Sequence, residues 1–371
     1  MNFNDVLSKY KRLIDNELEI FLDRKINEIS GSDQFLKELY TCLKEYVLVG
    51  GKRLRPILFI MAYKAFNGKN EQEAYIPSLS VELFHNATLV QDDFMDEDDF
   101  RRNNPTVYYK IKDYFLKNFN EIDYNGPLFN RLSSRFSVTN AALGGNILFS
   151  MSLSVLPKKE LIDIINNAYK TVNDGQALDV IYSLKDINEK DYFGMSEIAK
   201  KAISEHAQEQ KVLDMISKKT GALIEASLEM GAVLANAKKE QIKKMKEFGK
   251  NLALGFQLWD DVMDLSKNMN KGHELGSDIK KGKKTLIILH ALKNLNKENK
   301  EYLLKVLGNE NASKEEIEKS IQILNSSINY AKELAEEKIK KAKEILKDCR
   351  LNKEGYDFFN NLAEFTVKRE I

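Results

Sequence analysis

The chain is poor in the residues that punctuate or cross-link a fold. It has 5 prolines, 18 glycines and 2 cysteines among its 371 residues. So little proline and glycine leaves scant material for the turns that many strands would need. Cys42 and Cys349 lie far apart in sequence and form no metal or redox pattern, which suits a reducing compartment. Charge of one sign is also lacking, since 57 Lys and Arg stand against 56 Asp and Glu. That balance gives no global basic field for nucleic acid. No stretch reaches the roughly 18 uncharged apolar residues of a transmembrane segment. The start, MNFNDVLSKYKRLIDNELEIFL, is amphipathic and carries acids, unlike a secretory or organellar leader. These absences predict a cytoplasmic protein.

What is present is helical. Apolar residues recur at three- and four-residue spacings nearly throughout, as at Leu13, Leu18, Phe21 and Leu22, or Ile317, Ile321, Leu324 and Ile328. RPILFIMAYKAF reads as a buried helix with Pro56 in its first turn, where a missing N–H does no harm. SVELFHNATLVQDDFMD and MKEFGKNLALGFQLWDDVMDL read as two more. Polar breaks at 67–72, 119–128, 183–191, 266–277 and 307–313 are loop candidates. Residues 314–350, rich in Lys and Glu, have the i,i+4 pairing of surface helices. No repeat at solenoid periods is present. The expectation is an all-α protein of many packed helices.

Two acidic motifs interrupt this pattern. Asp92, Asp93 and Asp96 form DDxxD at the end of one apolar run, and Asp260, Asp261 and Asp264 form a second at the end of another. On a helix, residues i and i+4 share a face, so Asp92 stands over Asp96 and Asp260 over Asp264. Adjacent ionised carboxylates repel, and a hard oxygen-seeking cation such as Mg²⁺ relieves that repulsion. One such motif is equally a solvated acidic helix end. An EF-hand is excluded, because Glu97 takes the place of its glycine and Asn103 that of its last Glu. Two copies, each closing an apolar helix, favour a metal cluster that grips a diphosphate.

Basic residues stand where such a site needs them. Gly50-Gly51-Lys52-Arg53-Leu54-Arg55-Pro56 puts three cations at a helix start, where backbone N–H groups and the dipole already attract an anion. The alternative is that they are merely solvated there. Arg101 and Arg102 follow the first DDxxD closely. Lys219-Thr220 and Lys283-Lys284 are further candidates. His85, two turns before Asp92, is by itself an ordinary core histidine.

In combination and in order, these motifs resemble the trans-isoprenyl diphosphate synthases of the polyprenyl synthetase family. The resemblance runs from GGKRLRP through HNATLVQDDFMDEDDFRR, GQALD, KTGAL and GFQLWDDVMDL to GSDIKKGKKT. It implies a single domain over 1–371 with the all-α isoprenoid synthase fold around a deep central cavity, and a homodimer. It implies that Asp92, Asp93 and Asp96, with Asp260, Asp261 and Asp264, hold three Mg²⁺ ions on an allylic diphosphate. Arg101, Lys219 and Lys283 are then contacts of that diphosphate. Lys52, Arg55, His85 and Arg102 are contacts of isopentenyl diphosphate. Thr220, Gln257 and Gln176, with Asp179, line the reacting region. The family usually has a lysine shortly before the GxD that here is Gly276-Ser277-Asp278. This chain has KGHELGSD, with His273 or Glu274 near that place and Lys271 displaced, and the resemblance gives the contact to Lys271. The stretches 112–134 and 184–207 look longer than in the family and read as surface insertions.

The implied reaction is Mg²⁺-dependent head-to-tail condensation of isopentenyl diphosphate with dimethylallyl, geranyl or farnesyl diphosphate. Product length should depend on Phe84, Ala87 and Thr88, below Asp92 on its helix. Ala87 and Thr88 are small where fifteen-carbon members of the family carry bulky aromatics. Phe84 lies about 12 Å deeper than Asp92 at 1.5 Å per residue, which predicts geranylgeranyl diphosphate (C20). The same chemistry ending at C15, or at C25 and beyond, is the nearest alternative. A terpene cyclase would not need Lys52, Arg55 and Arg102 or a second DDxxD. A regulatory subunit would commonly have lost aspartates.

Overall fold

The computed structural model describes residues 3–29, 31, 33–183, 205–266 and 275–368. Helices dominate, as the periodicity predicts. The only strands among the described residues are the two-residue pair Phe100–Arg101 and Asn104–Pro105, with Phe100 opposite Pro105 and Arg101 opposite Asn104. The chain falls into two compact units. One holds Met1–Asn166 and Glu229–Ala237, the other Asn167–Leu228 and Lys238–Ile371.

In the first unit the expected buried helix is Leu54–Ala65, in which Ile57, Leu58, Phe59, Ile60, Met61 and Ala62 have no solvent exposure. A helix apolar on every side must be covered on every side. Burying each of its large side chains stabilises the unit by about 1.5–3 kcal/mol. The Tyr75–Met95 helix carries the first DDxxD and packs along Leu132–Ser154, with Phe84 edge-on to Phe149 at 5.7 Å between ring centroids. The N-terminal helix Phe3–Glu28 is fastened by Tyr10, which donates to Glu71 at 2.8 Å. Of the expected insertion 112–134, the first part completes the helix Val107–Asn118. Residues 119–131 are a largely exposed loop closed by an Asp123–Arg131 bridge, and 132–134 begin the helix Leu132–Ser154.

In the second unit the Lys239–Asp264 helix carries the second DDxxD and packs along Asn325–Asp348. Leu258, Trp259 and Met263 enter a core with Val212, Ile216 and Leu286, while Val262 joins a second core with Ile279, Ile287 and Ala331. Thr285, directly after Lys283-Lys284, caps Leu286–Asn294 by accepting from the Ile288 N–H. Cys42 and Cys349 are both buried free thiols. No described helix is long and apolar enough to cross a membrane. The expected insertion 184–207 and Lys271 fall largely or wholly outside the described residues.

Candidate functional site

In the first unit, Gly50-Gly51-Lys52-Arg53 is a glycine-led turn that leads into the expected helix start at Leu54, with Arg53 at the N-cap. Gly50 and Gly51 sit at φ of 112° and 130°, where a side chain is strained, and Arg53 is left-handed at φ 50°. This backbone separates the basic residues. Arg53 is only 2% exposed and turns inward, donating to Asp15 Oδ1, Glu82 Oε1 and the Val47 carbonyl, each at 2.7 Å. Of the three cations expected to attract an anion at this helix start, Arg53 is thus turned to protein acceptors. The buried Glu82 and the partly exposed Asp15 already use Arg53. Lys52 stays exposed and Arg55 half-buried.

Arg102 reaches the same turn. Arg102 and Asn103 are left-handed at φ 53° and 61°, the conformation of a tight two-residue hairpin between the short strands. That turn sends the two adjacent arginines to different partners. Arg102 Nη1 donates to the Gly50 carbonyl at 2.5 Å, while Arg101 Nε donates to Asp93 Oδ1 at 2.5 Å and its Nη2 lies 3.5 Å from Asp92. Arg101, expected on a diphosphate, is thus held by the carboxylates of the first motif.

Arg55, His85 and Arg102 form one electrostatic group. Burial, then Arg55 and Arg102, hold the His85 imidazole well below its usual pKa. Burial and Arg102 also press Arg55 downward, against the pull of Glu82. The Arg55 Nε is buried and has no hydrogen-bond partner among the described residues. A neutral histidine beside crowded guanidinium groups, one with an orphaned donor, is the chemistry of an anion site.

The first DDxxD has an inward member. Asp93 is 1% exposed and accepts from the Tyr46 hydroxyl at 2.6 Å as well as from Arg101. Burial raises its pKa, with Arg101 and Tyr46 opposing and Asp92 adding. Asp96 closes the helix, its N–H on the Asp92 carbonyl at 2.8 Å, which keeps the expected one-turn spacing. Asp99 is exposed and accepts from the Tyr108 hydroxyl. Tyr46 was missed because a single tyrosine on an amphipathic helix carries no sequence signal.

In the second unit, Gln257 links two expected residues. It accepts from the Thr220 hydroxyl at 3.1 Å and donates to Asp261 Oδ1 at 2.9 Å. Burial, followed by Asp278, pushes the Asp261 carboxyl up to about 8. Asp264 accepts from the Ser277 hydroxyl at 2.7 Å and from the Asp278 N–H at 3.1 Å. Asp278 in turn binds Lys283 at 2.9 Å. The partial burial of that ammonium is outweighed by Asp278, Asp179 and Asp261, which keep it charged. Asp278 was quoted only as part of GSD, and its place among the acids was missed.

Lys219 and Thr220 sit in a π-helical turn, Ser217–Gly221, a local widening that is frequent at functional sites. Lys219 Nζ binds Asp179 at 2.5 Å, a pairing that joins KTGAL to GQALD and that the sequence did not announce.

Among the described residues, no three acidic, histidine or cysteine side chains converge as a preformed metal cage. Asp93 and Asp264 turn to protein donors, and Asp261 to Gln257. The donor chemistry nevertheless fits Mg²⁺, which needs only one or two carboxylates per ion beside water and phosphate oxygens. Asp261 and Asp93 are buried hard-oxygen donors whose charge the folded protein disfavours. A cation would restore that charge.

The chain is similar to known proteins in sequence and fold. Residues 36–324 match the family model of polyprenyl synthetase. A short chain isoprenyl diphosphate synthase of Methanocaldococcus jannaschii is 36% identical over 260 residues, covering 68% of this chain and 62% of that protein. A geranylgeranyl diphosphate synthase of Sulfolobus acidocaldarius is 32% identical over 266 residues, covering 66% and 67%. The crystal structure of geranylgeranyl pyrophosphate synthetase from Pyrococcus horikoshii aligns over 100% of both chains, with a TM-score of 0.73 and 30% identity. The chain thus spans about two thirds or slightly less of the length of the curated relatives it matches.

Proposed function

The chain belongs to the polyprenyl synthetase family, and from that premise we propose that it condenses isopentenyl diphosphate head-to-tail with allylic diphosphates. We read residues 1–371 as one functional domain and geranylgeranyl diphosphate as its main product. The observation that carries this reading is the group of Arg55, Arg102 and His85, the last on the first DDxxD helix, with the buried Arg55 Nε lacking a partner among the described residues. In this reading Arg55, Arg102, Lys52 and neutral His85 bind the diphosphate of isopentenyl diphosphate. Planar guanidinium groups suit it because they give paired N–H donors to phosphate oxygens.

Asp92, Asp93 and Asp96, and in the second unit Asp260, Asp261 and Asp264, are the residues to hold Mg²⁺. When bound, Mg²⁺ supplies charge neutralisation to a leaving diphosphate. Lys219 and Lys283 add fixed positive charge for the allylic diphosphate, and Arg101 joins them when it exchanges its carboxylate partners for phosphate. Lys271 belongs to the same proposal. Thr220 and Gln257 orient Asp261 through their hydrogen bonds. Stabilising the departing charge lets the allylic C–O bond break. The double bond of isopentenyl diphosphate then attacks the allylic carbon. Loss of one proton, with the released diphosphate as base, leaves a chain longer by five carbons. Phe84, Ala87 and Thr88 set its final length.

Exposed apolar side chains at Phe100, Leu116, Phe119, Ile122, Leu128 and Leu143 of the first unit support a second copy of the chain as partner. Two buried free thiols fit the cytoplasm.

The test is incubation with Mg²⁺, labelled isopentenyl diphosphate and each of dimethylallyl, geranyl and farnesyl diphosphate, followed by product-length analysis. A dominant C20 product is expected. Longer products would discard Phe84 as the floor. No elongation with any primer would favour a regulatory subunit instead.

A further inference from the structure

Arg53 and Glu82 form a buried pair for which neither DDxxD nor the anion site has a use. Arg53 is 2% exposed and Glu82 4%. Glu82 Oε1 accepts from Arg53 Nη1 at 2.7 Å and, more weakly, from Asn86 Nδ2 at 3.4 Å. Arg53 Nε is taken by Asp15 at 2.7 Å and its Nη2 by the Val47 carbonyl. Asp15 lies in Phe3–Glu28, ahead of residue 36, where the family match begins.

Buried ion pairs are poor sources of net stability, because desolvation offsets much of the attraction. What such a pair does well is decide which charges remain for other partners. Glu82 stands three residues before His85 on the Tyr75–Met95 helix, and its charge reaches Arg55 as well as Arg53. Arg55 is two residues after Arg53, past the left-handed turn. One buried carboxylate therefore has two guanidinium groups within its field. The left-handed backbone at Arg53 settles the competition by aiming that side chain inward, onto Glu82 and Asp15.

We propose that Arg53 is a positioning residue for isopentenyl diphosphate. It occupies Glu82, keeps that carboxylate off Arg55, and so leaves Arg55 for the substrate's diphosphate. This rests on the reading of Arg55, His85 and Arg102 as that diphosphate's site. Removing Arg53 leaves Glu82 buried without its main partner, and Arg55 is the cation that then answers it. The substrate must displace an internal carboxylate before it can bind.

The experiment measures the Kd for isopentenyl diphosphate by calorimetry, and the KM for a fixed allylic primer, in a set of single and double variants. Arg53→Gln raises the Kd on the order of ten- to a hundredfold, the cost of one lost charge-assisted contact. The primer KM stays within about twofold, because the primer does not use Arg55. The double variant Arg53→Gln/Glu82→Gln removes the competitor and returns the Kd to within about threefold of the parent. If Arg53 only braces the turn, the double variant binds as poorly as Arg53→Gln or worse, and the proposal is overturned.

Should Arg53→Gln not fold, Glu82→Gln alone decides. An unchanged or tighter Kd supports the proposal, and a Kd raised on the order of tenfold overturns it. Arg55→Gln separates the two levels of the argument. A Kd unmoved by Arg55→Gln refutes the anion site itself. A Kd raised by Arg55→Gln, with no rescue in the double variant, refutes only the role of Arg53.

Discussion

A Cβ built on Gly175 would lie 2.4 Å from the backbone nitrogen of Lys219. The Lys159–Ser183 helix thus touches the π-helical turn backbone to backbone, one helical turn before Asp179 takes the Lys219 ammonium. Glycine is needed here for its missing side chain, since the obstructing atoms are main chain and cannot rotate away.

Gly175→Ala is therefore expected to push the turn at Lys218–Lys219 aside. Overpacking of this kind costs about 1–3 kcal/mol. Displacing Lys219 and Thr220 by even an ångström should lower the condensation rate on the order of a hundredfold. Chemical denaturation and single-turnover kinetics check the two effects separately. A full rate in a destabilised variant would mean that Lys219 is not set by this contact.

Asp261→Asn should trade function for stability. Burial and Asp278 lift the Asp261 carboxyl from 3.8 to about 8, so the folded protein holds its proton more tightly than the unfolded chain. A group raised in this way leaves stability intact below pH 4, and the loss accumulates as pH rises from there toward 8. In chelator, the variant should match the parent near pH 4 and melt roughly 5 °C or more higher at pH 8. With Mg²⁺ its elongation rate should fall on the order of a hundredfold or more. Equal melting at pH 8 would contradict the buried-carboxylate argument.

Product length should answer to Phe84 and Ala87. Both are fully buried, and Phe84 leans on Phe149. Phe84→Ala should shift products from C20 to C25 or beyond, with a cavity cost of about 3–5 kcal/mol. Ala87→Phe should shorten them toward C15. Thin-layer or mass analysis of dephosphorylated products reads both. An unchanged spectrum in both variants would remove this helix face from the control of length.

Glu71 ties the N-terminal helix into the first unit and should do so only above acid pH. Its burial raises the carboxyl's pKa, yet hydrogen bonds from Tyr75, Tyr10 and Lys64 prevail and bring it to about 2, from an ordinary 4.5. A depressed pKa contributes stability that is complete above about 4.5 and fades as pH falls toward 2. After allowance for solvent screening, Glu71→Gln should cost about 1–2 kcal/mol at pH 7. The difference should narrow steadily between pH 4.5 and 3. Unfolding curves at pH 7, 4 and 3 test the trend, and a constant difference would point to packing instead.

The sequence by itself determined the helices and most of the chemistry. Helix formation is a local matter of spacing and of what a turn of chain can bury. Both DDxxD motifs, GGKRLRP and KTGAL are likewise contiguous strings whose residue types limit their use. Only the tertiary structure decided which member of each string faces inward. Asp93 and Asp261, not the Asp92–Asp96 and Asp260–Asp264 faces, are the buried carboxylates. Arg53 left the phosphate-facing set because a left-handed turn aims it at Asp15 and Glu82, 38 and 29 residues away. Thr220 meets Gln257 across 37 residues, and Lys219 meets Asp179 across 40. Burial and pairing belong to groups brought together from distant parts of the chain, and no local pattern records which of them will meet.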